Sequence, residues 1–291
     1  MSRHVVRRGA QAHYVASSDA FSRWSVVDET TPAVHTGFAL CVLRPGGSVP
    51  ARVQSFEESF YLVDGSVVLE TPEGAVALGA GDYGLLPVGY PHAWRNSGDE
   101  VARWAQMLAP QPRDRFAGDA FPVTLPESTR ATRIDVRDPR NRLFGHIEPA
   151  NMDPGKQSQD LLALSASMRT ALLVYSGITV KMMVDSDLGA QLATMFMVQY
   201  DPDGVAGAHD HPFEETYYFL EGETEATFDG QSYRLGPGDV AFAGVGCVHG
   251  FRNVGDGPLR WLETQAPQPP GRHSYRFARD WDYLRSALER S

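Results

Sequence analysis

Apolar residues gather in short runs broken by glycine and proline over much of the chain. Phe38-Ala-Leu-Cys-Val-Leu43 runs into Arg-Pro-Gly-Gly47, and Ser59-Phe-Tyr-Leu-Val63 into Asp64-Gly65. Val67-Val-Leu-Glu-Thr71 ends at Pro72-Glu-Gly74. Short β-forming runs at regular spacing, each closed by a turn signal, predict an all-β sandwich or barrel. Helical periodicity is weak in these stretches. It returns near the end, where Phe277, Trp281, Leu284 and Leu288 follow helical spacing and predict a short C-terminal helix on the outside of a barrel. Residues 1–35 are expected to add a strand and a loop.

The same pattern occurs twice. At a constant offset of 157 residues Glu58 maps to Glu215, Gly65 to Gly222, Gly81 to Gly238, Gly89 to Gly246, His92 to His249 and Asn96 to Asn253. The register continues without a gap through Arg103-Trp104 against Arg260-Trp261, and through Ala109-Pro-Gln-Pro112 against Ala266-Pro-Gln-Pro269. Two copies of one unit therefore lie near residues 38–112 and 195–269. The implied domains are 1–112 and 161–291, joined by a linker over 113–160. Prolines 122, 126, 139, 149 and 154 predict irregular backbone in that linker. Residues 160–168 suit a short helix or a strand. Ala171–Tyr175 and Ile178–Met183 predict strands that join the second unit.

The second copy carries the chemistry. His209 and His211 stand two apart in a strand-like context, which turns both imidazoles to one face. Glu215 follows where the strand resumes, and His249 comes after the Gly-bounded stretch 238–246. Imidazole nitrogens and a carboxylate aimed into one space suit a divalent transition metal. Glu214 competes with Glu215, but alternation points it to the opposite face.

These residues resemble the two cupin motifs. His209, His211, Glu215 and Gly222 match G-x5-H-x-H-x3-4-E-x6-G, and Gly238, Gly246, His249 and Asn253 match G-x5-P-x-G-x2-H-x3-N. Gly204 lies one residue closer to the first histidine than the pattern asks, and Gly244 replaces the proline. Neither departure touches a ligand position. The resemblance implies a bicupin: two tandem double-stranded β-helix (jelly-roll) barrels. It also implies one divalent ion per chain, held by His209, His211, Glu215 and His249. Iron, manganese, nickel, cobalt and zinc all occur with such ligands. A closed tetrahedral zinc site would leave no room for substrate. Met197, Gln199, Tyr217, Phe219, Phe251 and Trp261 are candidate pocket walls. Cys247, close to His249, is expected to be a buried structural thiol.

The first copy departs from the pattern where a metal would sit. Arg52 replaces the first histidine and Gln54 the second, while Glu58 and His92 remain. Arginine keeps its proton and repels a cation, so this barrel is expected to be metal-free, with Arg52 paired to Glu58; the alternative is a second small-molecule pocket in which Arg52 grips an anion.

Composition narrows the function classes. A net charge of -10 gives no basic footprint for nucleic acid, and no apolar run reaches membrane-spanning length. Two cysteines make no disulfide framework, and the N-terminus has no signal-peptide core. A cytoplasmic protein is expected. Exposed sheet edges in such barrels predict a homodimer. The resemblance implies an enzyme acting on a small molecule, first of all a dioxygenase on an oxygenated substrate. A manganese-dependent hydrolase resembling ureidoglycine aminohydrolase, a cupin isomerase or decarboxylase and a non-catalytic ligand-binding bicupin are the alternatives.

Overall fold

The two sequence copies fold as two β-barrels in the computed structural model. It describes residues 2–126, 130–135, 137–153, 170–173, 177–268, 276–277 and 289. Each barrel is a pair of facing sheets. In the second, Val240–Ala243, Glu214–Glu221, Leu259–Ala266, Thr194–Tyr200, Ile178–Val184 and Thr170–Leu173 lie side by side. Facing them are Gln231–Leu235, Thr224–Phe228, His249–Asn253, Val205–Asp210 and Arg276–Phe277. The first barrel repeats this plan around Glu57–Asp64, Ala102–Ala109 and Gly37–Leu43 on one sheet and Ser48–Gln54, His92–Arg95 and Ser66–Thr71 on the other.

Alternation explains why the central strands read as nearly continuous apolar runs. In Glu214–Glu221, Tyr217 and Phe219 enter the core inside the second barrel. Tyr218 and Leu220 pack into a separate core between the barrels. Phe60 and Leu62 against Tyr61 repeat the division in the first barrel. The inter-barrel core draws Phe38, Met107 and Tyr83 from one copy and Met195, Phe242 and Leu262 from the other. A strand buried on both faces has no polar side to show.

Turn glycines hold the register. Gly65 and Gly222 have φ of +74° and +75°, and a Cβ on either would come within 2.5 Å of a backbone oxygen, of Val101 or Pro258. Only glycine fits there.

Two features tie the barrels together. The described part of residues 1–35 holds three strands rather than one: His4–Arg7 pairs with Val240–Ala243 of the second barrel, while Val15–Ala16 and Phe21–Val27 extend the first-barrel sheet beside Gly37–Leu43. In the first barrel the matching edge, Asp82–Leu86, is covered by Phe144–His146 from the connector. The second tie is a pair of buried glutamates one repeat apart. Glu214 accepts N–H bonds from Val34, His35 and Thr36 at 2.6, 2.9 and 3.0 Å. Glu57 accepts from Gln191 and Leu192 at 2.7 and 2.8 Å. Each carboxylate thus holds the loop that leads into the other barrel. Glu214→Ala leaves those N–H groups without an acceptor and should cost about 2 kcal/mol, read as a lower urea midpoint at unchanged m-value. A midpoint equal to wild type would deny the clamp any energetic role.

The connector is less irregular than its prolines suggest. Ala120–Pro122 and Ala131–Arg133 add to the two edges of one first-barrel sheet, and Phe144–His146 to an edge of the other. Open sheet edges leave backbone groups unpaired, and the connector supplies partners. Strands Thr170–Leu173 and Ile178–Val184 lie where the sequence places them. The segment 160–168 and most of the expected C-terminal helix lie outside the described residues. Phe277, placed at the start of that helix, instead ends a two-residue strand paired with His209 and Asp210. No helix among the described residues is long and apolar enough to cross a membrane.

Candidate metal centre

Three strands deliver the second-barrel cluster. His209 lies near the end of Val205–Asp210 and pairs directly with His249, the first residue of its own strand. A register shift between Ala206 and His209 sets this pairing. His211 sits just past the strand end, yet its imidazole still turns to the same space. One ring nitrogen from each of the three lies within 4.8 Å of the other two. Glu215, on the neighbouring sheet, brings Oε1 to 3.4 Å from His211 Nε2 and Oε2 to 3.1 Å from His249 Nε2.

The far side of the rings fixes their aim. His209 Nδ1 donates to the Gly207 carbonyl at 2.6 Å, and His249 Nδ1 to the Cys247 carbonyl at 2.9 Å. With Nδ1 turned to a carbonyl, Nε2 is the nitrogen each ring presents to the cluster. His211 stacks flat on Phe213, centroids 4.6 Å apart. Glu215 is oriented by Gln265 Nε2 at 2.7 Å and by the Tyr217 hydroxyl at 2.5 Å. All four candidate ligands are buried. Oriented lone pairs and a carboxylate, each held from behind, fit a divalent ion.

The electrostatics agree with that fit. Burial, reinforced by the neighbouring imidazole of His249, depresses His209 to about 3 and keeps it neutral. Burial alone would raise Glu215, but the imidazoles of His211 and His249 and the Tyr217 hydroxyl hold it below the usual carboxylate range. Glu263 goes the other way. Burial, and then the Glu215 carboxylate, push it well above that range, so it carries a proton. Burial and Glu215 likewise raise the Tyr217 hydroxyl.

A cavity of about 80 Å³ opens beside the cluster and reaches His209, His211 and Glu215. Ile178, Val180, Phe196, Val198, Tyr200, Ala206, Phe251 and Trp261 form most of its wall, with Tyr217 and Glu263 as the other polar groups.

Against known families, a cupin domain model matches twice, over residues 39–108 and 196–264. Those spans are the two barrels, and the second holds the histidine cluster. The chain is a bicupin. Its fold is shared with oxalate decarboxylase of Lactobacillus farciminis at 17% identity and a TM-score of 0.66, covering 96% of this chain and 90% of that one. A glyoxylate-induced protein of Pseudomonas aeruginosa matches at 16% identity and a TM-score of 0.66, covering 94% and 92%. Among curated sequences, polyketide synthase CurC of Streptomyces cyaneus is 28% identical over 127 residues, which is 38% of this chain and 82% of that protein.

The bicupin's first barrel replaces the histidine cluster with a different set. Arg52 pairs with His92 across adjacent strands as His209 pairs with His249. Gln54 Nε2 donates to Glu58 Oε2 at 3.0 Å, Arg52 NH2 lies 3.7 Å from the same oxygen, and His92 Nε2 lies 3.8 Å from it. The Arg52–Glu58 pair is thus a charge contact beyond hydrogen-bond length. His92 is bonded to the Tyr90 carbonyl at 3.0 Å, and burial lowers its pKa.

Of the candidate walls, Tyr217, Phe251 and Trp261 line the cavity. Met197, Gln199 and Phe219 do not. On Thr194–Tyr200 the residues Phe196, Val198 and Tyr200 turn inward, so Met197 enters the inter-barrel core. Gln199 instead accepts from Arg260 at 2.8 Å and donates to the Met152 carbonyl at 3.3 Å. Phe219 shares the inward face but lies beyond the cavity, against Trp261. Glu263 is the functional residue the sequence reading passed over. It follows Trp261 at strand parity, and the first copy has Gln106 in its place. That exchange of amide for acid was a readable signal.

Glu214 faces away from the cluster, into the clamp described above. The Cys247 thiol is pushed up to about 12 by burial and then by Asp229, so it stays protonated and is a poor nucleophile. Cys247, His4 and Asp229 form a second group of donors. Their groups are already engaged, Asp229 by Arg3 at 2.6 and 3.0 Å and His4 by Tyr233 at 2.8 Å.

Proposed function

We propose that this bicupin is a metal-dependent enzyme, a dioxygenase whose substrate is a small apolar molecule bearing two adjacent oxygens, such as a diketone or enediol. His209, His211, His249 and Glu215 would hold the ion. When bound, the ion would supply Lewis acidity, and electrons to oxygen if redox-active. The observation that carries the reading is the cavity itself. It touches the cluster, is otherwise walled mostly by aliphatic and aromatic side chains, and includes no arginine or lysine among its described lining. A dianion such as oxalate would have the ion alone to offset its charge and that of Glu215, with no arginine or lysine beside it. An apolar body with one ionisable oxygen pair suits these walls.

The residues have distinct tasks. Phe196, Val198, Phe251 and Trp261 bind the apolar body and exclude water. Gln265 donates to Glu215 and holds its carboxylate in place. Trp261 Nε1 donates to Glu263 Oε2 at 2.9 Å and fixes the protonated acid at the cavity wall. That acid is the observation favouring a second reading, a non-redox isomerase that passes a proton across the substrate.

Oxygen uptake by the metal-loaded protein against a panel of small diketones and enediols tests the proposal, with products followed by NMR. Uptake stoichiometric with cleavage is expected. Turnover without oxygen consumption would replace dioxygenase by isomerase or hydrolase, and no turnover with a ligand still bound would favour a binding protein.

A further inference from the structure

The Tyr217 hydroxyl touches two of the candidate metal ligands. Its Oη lies 2.5 Å from Glu215 Oε2 and 2.9 Å from His249 Nε2, and those two atoms are 3.1 Å apart. Three polar atoms from two strands thus form a small triangle, fully buried in the barrel.

His249 Nδ1 faces the Cys247 carbonyl at 2.9 Å, so Nε2 is the nitrogen turned to the triangle. The phenolic hydrogen goes to Glu215. Octahedral bonds of about 2.1 Å place neighbouring ligand atoms about 3 Å apart, which matches the 2.9 and 3.1 Å edges. The 2.5 Å edge is the hydrogen bond that Tyr217 makes to Glu215 without an ion.

The internal repeat supplies an independent comparison. Position 217 corresponds to Phe60 in the first barrel, where the first two metal-motif histidines are Arg52 and Gln54. Phe60 lies in that barrel's core with no hydroxyl to offer. The hydroxyl is present only in the copy that keeps the metal motif. A tyrosine needed merely to fill the core would not distinguish the copies in this way.

We propose that Tyr217 Oη is a direct ligand of the metal in the second barrel, binding as phenolate beside His249 and Glu215. The inference rests on reading the three-histidine cluster as a metal centre. On binding, the phenolic proton leaves to solvent and the oxygen's lone pair turns to the ion, whose own charge favours the exchange. The alternative is a positioning residue, in which Tyr217 keeps its proton and only orients Glu215.

The two roles differ spectroscopically. Full-length protein would be loaded with one equivalent of ferric iron from its nitrilotriacetate complex, and metal content measured on the same samples. Direct ligation predicts a visible phenolate-to-iron charge-transfer band in wild type. In Tyr217→Phe the band should vanish while iron is retained at the same stoichiometry, held on the order of tenfold more weakly. Iron bound without the band in wild type, or a band persisting in Tyr217→Phe, overturns the inference and leaves the metal centre standing. If wild type holds manganese but not iron, calorimetry in buffers of different ionisation enthalpy decides. Wild type should then release one proton more per manganese bound than Tyr217→Phe, and equal release overturns the inference. Failure of wild type to retain iron, manganese, nickel or cobalt overturns the metal reading together with it.

Discussion

Replacing His211 with alanine should leave the purified, dialysed protein with essentially no bound metal, against one equivalent per chain in wild type. His211 contributes one of three ring nitrogens lying within 4.8 Å of each other, and its Nε2 also faces Glu215. A full ligand set at a protein metal site contributes on the order of 10–16 kcal/mol, so losing one histidine of it should cost about 3 kcal/mol, roughly a hundredfold in affinity. The fold should survive. His211 lies just past a strand end and makes a stacking contact with Phe213, whereas the barrel core is built from other residues. Elemental analysis beside circular dichroism separates loss of metal from loss of structure. One equivalent retained in a folded variant would place the metal elsewhere, and two equivalents in wild type would contradict the division between the barrels.

The converse change should create a site. Arg52→His with Gln54→His restores the first-copy motif, and the described strands already hold the rest of the set. Position 52 pairs with His92 as His209 pairs with His249, and Glu58 lies in the same space. The double variant should bind a second equivalent of metal. Its affinity should be lower than that of the natural site, because Phe60 and Leu108 stand where Tyr217 and Gln265 support Glu215. Arg52→Ala alone should destabilise the chain by about 3 kcal/mol at most, the lower end for leaving a buried carboxylate without its cation, because Arg52 is itself partly exposed and Gln54 continues to bond Glu58. Turnover in the second barrel should be unchanged in either variant. A double variant that still holds one equivalent would show that matching register is insufficient to rebuild the centre. Lost turnover in stable Arg52→Ala would give the first barrel a part in the reaction.

The sequence alone determined the features that depend on local pattern. Alternation and turn glycines specify a strand-rich chain, the 157-residue offset marks its duplication, and the histidine and glutamate spacing picks out one cluster. Strand parity also sent Glu214 away from that cluster, because side-chain direction along a strand follows from position. Tertiary structure decided what depends on which strands become neighbours. It sent His4–Arg7 to the distant barrel and turned Glu57 and Glu214 into reciprocal clamps. It drew Phe196, Val198 and Tyr200 into the cavity wall and left Met197 and Gln199 outside. Parity within one strand gives two opposite faces but not which of them meets the cavity. That choice is made by barrel closure and by the second apolar core between the barrels, which buries both faces and so erases the polar mark that would have told them apart. The proton on Glu263 arises the same way, since its environment consists of Glu215 and Trp261, and only the fold brings Glu215 to its side.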